Sequence, residues 1–222
     1  MQKRALIIGA SGGIGQALTQ GLKAQGYACT PLSRSVDGLD LMDETRTNPI
    51  LSSLPHQYDR IFVASGALEI AGAAPEKTIR ALSAQAMLDQ FAVNAVGPAL
   101  VLRHAHRLLP RDRPAVLSVL SARVGSIGDN RLGGWISYRA AKAAVNQIMH
   151  TAAIELARTH PMAVCVNLHP GTVETEFTRK YLGRHPAVPA NEAAANLLRV
   201  TDGLSPEQTG QFFDWAGKPV PW

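Results

Sequence analysis

Cysteine is almost missing from this chain of 222 residues: Cys29 and Cys165 are the only two. Both sit in apolar runs without metal-ligand spacing or a partner motif, which excludes a disulfide framework and leaves them as reduced core thiols. Aromatic residues are also scarce, at 5%, and although Lys and Arg outnumber Asp and Glu by 22 to 17, the basic residues are scattered. The densest local cluster is the pair Lys3 and Arg4, with no aromatic interleaving, so no nucleic acid partner is expected. A phosphorylated small molecule is the more economical use of the positive balance. No run of 18 apolar residues exists, so no membrane partner is expected either. Met-Gln-Lys-Arg followed at once by Ala-Leu-Ile-Ile-Gly is too short and too quickly broken for a signal peptide, and a cytoplasmic protein is expected.

What is present is an alternation. Ala5 to Ile8 is a short apolar run ending at Gly9, and Ile14 to Ala24 then carries helical spacing until Gly26 stops it. Tyr27 to Leu32 reads as a second strand, with Pro31 placing it at an irregular or unpaired position. Asp59 to Ala64 is the next strand, Ser83 to Leu109 a long helix, Pro114 to Leu120 a strand, Ser137 to Thr159 a helix and Met162 to Leu168 a strand. A loop follows through Arg184 to Pro189, then a helix over Asn191 to Arg199 and a last strand at Gln211 to Asp214. Strands alternating with helices of this length predict an α/β fold, a Rossmann-type doubly wound parallel sheet with helices on both faces. One domain over residues 1–222 is expected at this length.

Two features carry chemistry. Tyr138 and Lys142 are four residues apart, just over one helical turn, so on a helix they share a face. A free phenol titrates near 10 and is a poor proton donor at neutral pH, whereas a cation held beside it favours the phenolate. The second feature is the glycine-rich turn Gly9-Ala-Ser11-Gly12-Gly13-Ile14-Gly15 directly after the first strand, where a pyrophosphate can meet a helix N-terminus. Its glycine spacing differs from the two-domain dehydrogenase fingerprint. At the end of the second strand stand Ser33 and Arg34 where an NAD-binding carboxylate is usual; a guanidinium suits a 2′-phosphate, so NADP is preferred and NAD is the alternative. Asp40 is placed to accept from an adenine amino group. His104 and His106 are two apart on a helix and point away from each other, so no metal site is expected.

The glycine pattern, Ala64-Ser65-Gly66-Ala67, Asn94 in Phe-Ala-Val-Asn-Ala-Val-Gly, the Tyr138/Lys142 pair and Pro170-Gly-Thr-Val-Glu-Thr175 together resemble the short-chain dehydrogenase/reductase family over essentially the whole chain. Leu120 to Trp135 and the ending Gly210 to Trp222 are similar to its small carbonyl-reductase-like branch, which includes bacterial C-factor proteins. The resemblance implies Tyr138 as general acid or base, Lys142 depressing its pKa and holding the nicotinamide ribose, and Asn94 holding a proton-relay water. It implies Pro170, Gly171 and Val173 beside the nicotinamide, Thr175 at its carboxamide or the phosphates, and a segment 176–189 closing over substrate. No metal is needed for hydride transfer of this kind.

The serine departs from the family pattern. Family members place it three before a glycine and 13 before the tyrosine, but Ala122 stands three before Gly125 and Ser121 is 17 before Tyr138. Ser121 is taken as the candidate and Ser126 as its rival. Ser65 replaces an asparagine and Ala141 a serine. Trp135, Ile136, Leu132 and the stretch Phe177 to Leu182 are candidates for an apolar wall, favouring a small aldehyde or ketone, or the corresponding alcohol, over a charged sugar. The resemblance implies a homodimer or homotetramer through Ser83 to Leu109 and Ser137 to Thr159. Phe212, Phe213, Trp215 and Trp222 either meet another subunit or cap their own sheet. An interaction protein of C-factor type, with Tyr138 and Lys142 kept for binding, is the alternative to an active reductase.

Overall fold

The computed structural model describes residues 2–176, 178–183 and 186–222. Its centre is a parallel sheet of six strands: β1 (Arg4–Ile8), β2 (Ala28–Leu32), β3 (Arg60–Val63), β4 (Ala115–Leu120), β5 (Ala163–His169) and β8 (Phe212–Asp214), in the order β2-β1-β3-β4-β5-β8. Strands β1, β3 and β4 are apolar but for Arg4, Arg60 and the buried Ser118, because both faces of the sheet are covered. One face packs on α1 (Gly13–Ala24) and α8 (Ala190–Asp202), burying Leu18, Leu22, Leu197 and Leu198 against Ile7, Phe62 and Val166. The other packs on α3 (Glu44–Ser53), α5 (Gly97–Leu102) and α7 (Ile136–Ala157), burying Leu51, Val101, Val145 and Met149 against Ile8, Ile61 and Val119. This is the doubly wound sheet the alternation predicts. A small ladder of β6 (Val173–Glu174) with β7 (Val188–Pro189) lies apart from it.

Edge strand β2 accounts for Pro31, whose missing N–H is tolerated where one side of the strand is unpaired. The order reverses between β1 and β3, whose following helices, α1 and α5, lie on opposite faces of the sheet, and this opens a crevice at the carboxyl ends of the two strands.

The long helix expected over Ser83 to Leu109 is instead broken. It runs as α4 (Ala84–Phe91), a π turn over Ala92–Val96, α5, and then α6 (Ala105–Leu108). The π turn carries Asn94, buried, with its side chain bonded to the loop after β3. Two helices escape the sequence pattern. The short α2 (Arg34–Asp37) is capped by Ser33, and α3 is capped by Asp43, which accepts from the N–H groups of Thr45 and Arg46. Low apolar content and Pro49 hide α3 from a periodicity reading. At the C-terminus Phe212 and Phe213 are buried in their own sheet, Trp222 stacks on Phe212, and Trp215 and Trp222 stay about half exposed. No helix among the described residues is long and apolar enough to cross a membrane.

Candidate functional site

The carboxyl ends of β1, β3, β4 and β5 gather the chemistry. The first turn follows β1: Gly9 adopts φ 84, and a Cβ there would stand 2.7 Å from the Ser65 backbone nitrogen, so only glycine lets the loops after β1 and β3 approach. Helix α1 then starts with no side-chain cap at Gly12 and no acidic residue in its first turn, leaving donor N–H groups and a positive dipole end facing the crevice. Ser11, Gly12 and Gly13 are exposed along it, Ile14 is half-buried and Gly15 is buried. Ser65 Oγ is buried without a hydrogen-bond partner among the described residues. A cradle of bare amides with an orphaned hydroxyl beside it fits a dinucleotide pyrophosphate.

Ser33 and Arg34 lie at the end of β2, as placed from the sequence. Ser33 is occupied structurally, its hydroxyl accepting from Val36 N–H at 3.3 Å and its backbone N–H donating to Asp37 at 2.8 Å. Arg34 is exposed and makes no ion pair among the described residues. Asp40 accepts from Met42 N–H at 3.1 Å through Oδ1, and its carbonyl takes Asp43 N–H and the Thr47 hydroxyl.

After β3, Ala64, Ser65 and Gly66 form the far wall. Asn94 clamps that loop: its amide donates to Ala67 O at 2.8 Å and to Gln90 Oε1 at 2.7 Å, while Oδ1 accepts from Ala67 N–H at 3.1 Å. Both amide donors are spent on protein, so Asn94 is first a loop anchor, and only one acceptor position of Oδ1 is left for a water. A Cβ on Gly66 would stand 2.9 Å from Asn94 Oδ1 and 3.5 Å from Lys142 Nζ, so loop, amide and ammonium converge.

Tyr138 lies in the first turn of α7, and Lys142 one turn on; both are buried. The ammonium donates to Leu120 O at 3.0 Å and stands 5.8 Å from the centroid of the Tyr138 ring. Burial lowers the Lys142 pKa to about 8 and pushes the Tyr138 phenol up instead of down. That reverses the expected depression of the phenol, because desolvation of both groups outweighs a cation turned toward the ring and a carbonyl.

Ser121 follows β4 and is enclosed, its N–H bonded to Leu168 O at 2.8 Å and its Oγ without a partner among the described residues. Ser126, the rival, is committed elsewhere: its hydroxyl donates to Pro221 O and accepts from Asp129 N–H. Pro170, Gly171, Val173 and Thr175 follow β5, with Trp215 packed on Gly171. His169, which the sequence reading passed over, ends β5 with a buried Nδ1; burial and then Arg123 hold its imidazole down at about 4, neutral, against the pull of Asp214.

The segment expected to close over substrate, 176–189, is described except for Phe177, Arg184 and His185, so the part of the expected wall at Phe177 lies outside the described residues. Tyr181 stands edge-on to Trp135 with centroids 5.4 Å apart, and Trp135 edge-on to Tyr138 at 6.3 Å. The Tyr181 hydroxyl donates to Glu69 Oε1 at 2.7 Å and Lys180 pairs with Glu69 Oε2 at 2.8 Å. Leu132 points to solvent, 85% exposed, and Ile136 is half-buried. Glu69 and Glu76 were not legible as site residues, since both reach it through contacts remote in sequence. Among the described residues no three His, Cys, Asp or Glu side chains gather to hold a metal.

Comparison with known proteins places this geometry. The short chain dehydrogenase family matches residues 36–184. The chain is 38% identical over 140 residues to C-signal of Myxococcus xanthus, covering 61% of this chain and 78% of that protein. Its fold is like that of a short-chain dehydrogenase/reductase from Burkholderia multivorans with bound NADP, at TM-score 0.82 and 24% identity over the whole of both chains. The carbonyl reductase Sniffer of D. melanogaster also matches over the whole of both chains, at TM-score 0.82 and 20% identity.

Proposed function

The chain belongs to the short chain dehydrogenase family, and from that membership we propose that it is an NADP(H)-dependent oxidoreductase interconverting a small apolar carbonyl compound and its alcohol. The observation that carries the reading is the Tyr138/Lys142 pair on the first turns of α7, converging with the loop after β3 on the crevice that the glycine turn lines. A bound nicotinamide cofactor would supply the hydride for the carbonyl carbon, and the chain's own part in that chemistry is the phenol proton of Tyr138, given to the carbonyl oxygen so that an alcohol results.

The chain's own residues do the rest. Exposed amides at the start of α1 and the Ser65 hydroxyl hold the pyrophosphate, and Arg34 takes the 2′-phosphate. Asp40 receives the adenine amino group, and Lys142 holds the nicotinamide ribose. Pro170, Gly171, Val173 and Thr175 support the nicotinamide end. Ser121 offers a hydroxyl with no competing partner among the described residues to the oxygen that gains charge. Trp135 and Tyr181 form an aromatic wall beside the acid, suited to an apolar aldehyde or ketone. The subunit arrangement proposed is a homodimer or homotetramer through the α4–α5 and α7 faces, where Leu88, Val96 and Ile154 are exposed.

A second reading, a dinucleotide-binding interaction protein, draws on the likeness to C-signal. One experiment separates them: NADPH-dependent reduction of aryl and aliphatic aldehydes by the parent and by Tyr138→Phe, with NADPH binding followed by fluorescence. The oxidoreductase reading expects turnover in the parent and a fall of at least about a hundredfold in the variant with binding intact. Binding without turnover in either protein would favour the interaction role.

A further inference from the structure

Helix α7 begins without the residues that normally begin a helix. Its N-cap is Trp135, whose side chain makes no capping bond, and no acidic residue stands in the first turn. Trp135 is also in the left-handed region, at φ 53 and ψ 40, directly after Gly133 and Gly134 at φ 63 and 67. A bulky residue stays there only when its surroundings hold it.

What holds it comes from the loop after β3. The Glu76 carbonyl accepts from Trp135 N–H at 2.6 Å, and its carboxylate takes both the hydroxyl and, at 3.3 Å, the N–H of Ser137. Glu76 is only 7% exposed. Burial opposes its ionisation, yet the Ser137 bonds keep its pKa below the ordinary carboxylate range, and the positive end of a 22-residue helix favours the charge there. One residue therefore supplies the cap that the helix lacks and fixes Ser137, immediately before Tyr138, together with Trp135, three residues before it, whose indole stands beside the Tyr138 ring. A loop of ordinary turn residues would need none of this, and nothing in the core requires a carboxylate at that point.

We propose that Glu76 is a positioning residue for the oxidoreductase chemistry: acting through Ser137 and Trp135, it holds the first turn of α7 in the strained form that presents the Tyr138 phenol to substrate. The proposal rests on Tyr138 being the acid. It is tested by single-turnover hydride transfer from preloaded NADPH to 4-nitrobenzaldehyde in the parent, Tyr138→Phe, Glu76→Gln, Glu76→Asp and Ser137→Ala, with NADPH affinity and melting temperature measured on each. Retained transfer in Tyr138→Phe would remove the acid assignment and this proposal together. With Tyr138→Phe inactive, Glu76→Gln is expected to slow transfer about tenfold to a hundredfold at unchanged NADPH affinity, as a misplacement near 1 Å does. Glu76→Asp should recover part of the rate, and Ser137→Ala, which keeps the backbone bond, should fall between. Parental transfer rates in folded Glu76→Gln and Ser137→Ala, whatever their melting temperatures, would leave Glu76 a purely structural cap and overturn the proposal. If Glu76→Gln does not fold, Ser137→Ala decides alone.

Discussion

Gly125 lies directly against Lys142: a Cβ on Gly125 would stand 2.7 Å from the Lys142 carbonyl carbon and 2.8 Å from its Cβ. Backbone and the root of a side chain leave nothing flexible to yield, so the loop after β4 can reach α7 at Lys142 only through a glycine. Gly125→Ala should push loop and helix apart, at about 1–3 kcal/mol for an overpacked contact. Thermal unfolding is expected to show a melting temperature lower by several degrees, with turnover reduced more than NADPH binding. A variant that melts and turns over like the parent would mean that the two segments are not held this tightly.

Arg34 is exposed at the end of β2, free of ion pairs among the described residues, with no carboxylate in its own place. If it reads a 2′-phosphate, Arg34→Ala should weaken NADPH at least about tenfold while leaving NADH almost unchanged, since one charge-assisted contact is worth roughly 1.5–3 kcal/mol. Fluorescence titration at fixed ionic strength checks this. Equal loss for both dinucleotides would assign Arg34 to the loop and not to the phosphate.

How far the site was readable follows from how each part is encoded. The glycine turn, the Tyr138/Lys142 spacing and Pro170-Gly171 are local patterns, and the fold placed them at one end of one sheet, as a parallel doubly wound order requires. Pro31 correctly announced an edge. The break in the long helix was not readable: it coincides with Asn94, whose side chain bonds to Gln90 and to Ala67, and the latter lies 27 residues away. Glu76 meets Ser137 across 61 residues, and Glu69 meets Tyr181 across 112. Such pairs leave no periodic trace. The direction of the Tyr138 shift was misjudged for a related reason: spacing shows that a cation is near, but not that both groups are desolvated.

Burial of Lys142 makes stability depend on pH in a definite direction. Its pKa falls from about 10.4 in an unfolded chain to about 8 in the fold. Below pH 8 the fold carries a buried ammonium at its full penalty, roughly 3 kcal/mol by the shift. Between about pH 8 and 10.4 the unfolded chain binds more protons than the folded one, so stability contributed by this group rises with pH. The difference in unfolding free energy between the parent and Lys142→Met is therefore expected to move in the parent's favour between pH 7 and 9.5. Urea unfolding at several pH values measures it, and a difference flat with pH would contradict the burial-lowered pKa.

Ser121 and Ala122 sit side by side at the end of β4, one enclosed with an unpartnered hydroxyl and the other half-exposed without one. Adjacent residues of extended chain point to opposite sides, so only one of them can face α7 and its phenol. Ser121 has the parity of Val119 and Leu117, which pack on the α7 face. Ser121→Ala should lower turnover at least about tenfold through loss of a donor to the developing oxyanion, with NADPH affinity kept. Ala122→Ser should not restore it. Recovery of rate in the double variant Ser121→Ala, Ala122→Ser would move the serine role to position 122.

Glu69 ties two consecutive residues of segment 176–189, Lys180 and Tyr181, to the loop after β3, and Tyr181 in turn meets Trp135 beside Tyr138. Among the described residues the Lys142 ammonium bonds to Leu120 O, and not to Glu69, Lys180 or Tyr181. On the proposed reading they shape the approach of substrate and leave proton transfer alone. A change confined to this tie should therefore act on binding: Tyr181→Phe removes one hydrogen bond while keeping the ring on Trp135, and Glu69→Gln weakens the pairing with Lys180 as well. KM for an apolar aldehyde is expected to rise a few-fold in Tyr181→Phe and more in Glu69→Gln, with kcat within about twofold of the parent, which is the pattern of binding lost equally from ground and transition states. A fall in kcat at constant KM would mean instead that the tie sets the geometry of the reacting groups, and that the aromatic wall and the acid move as one unit.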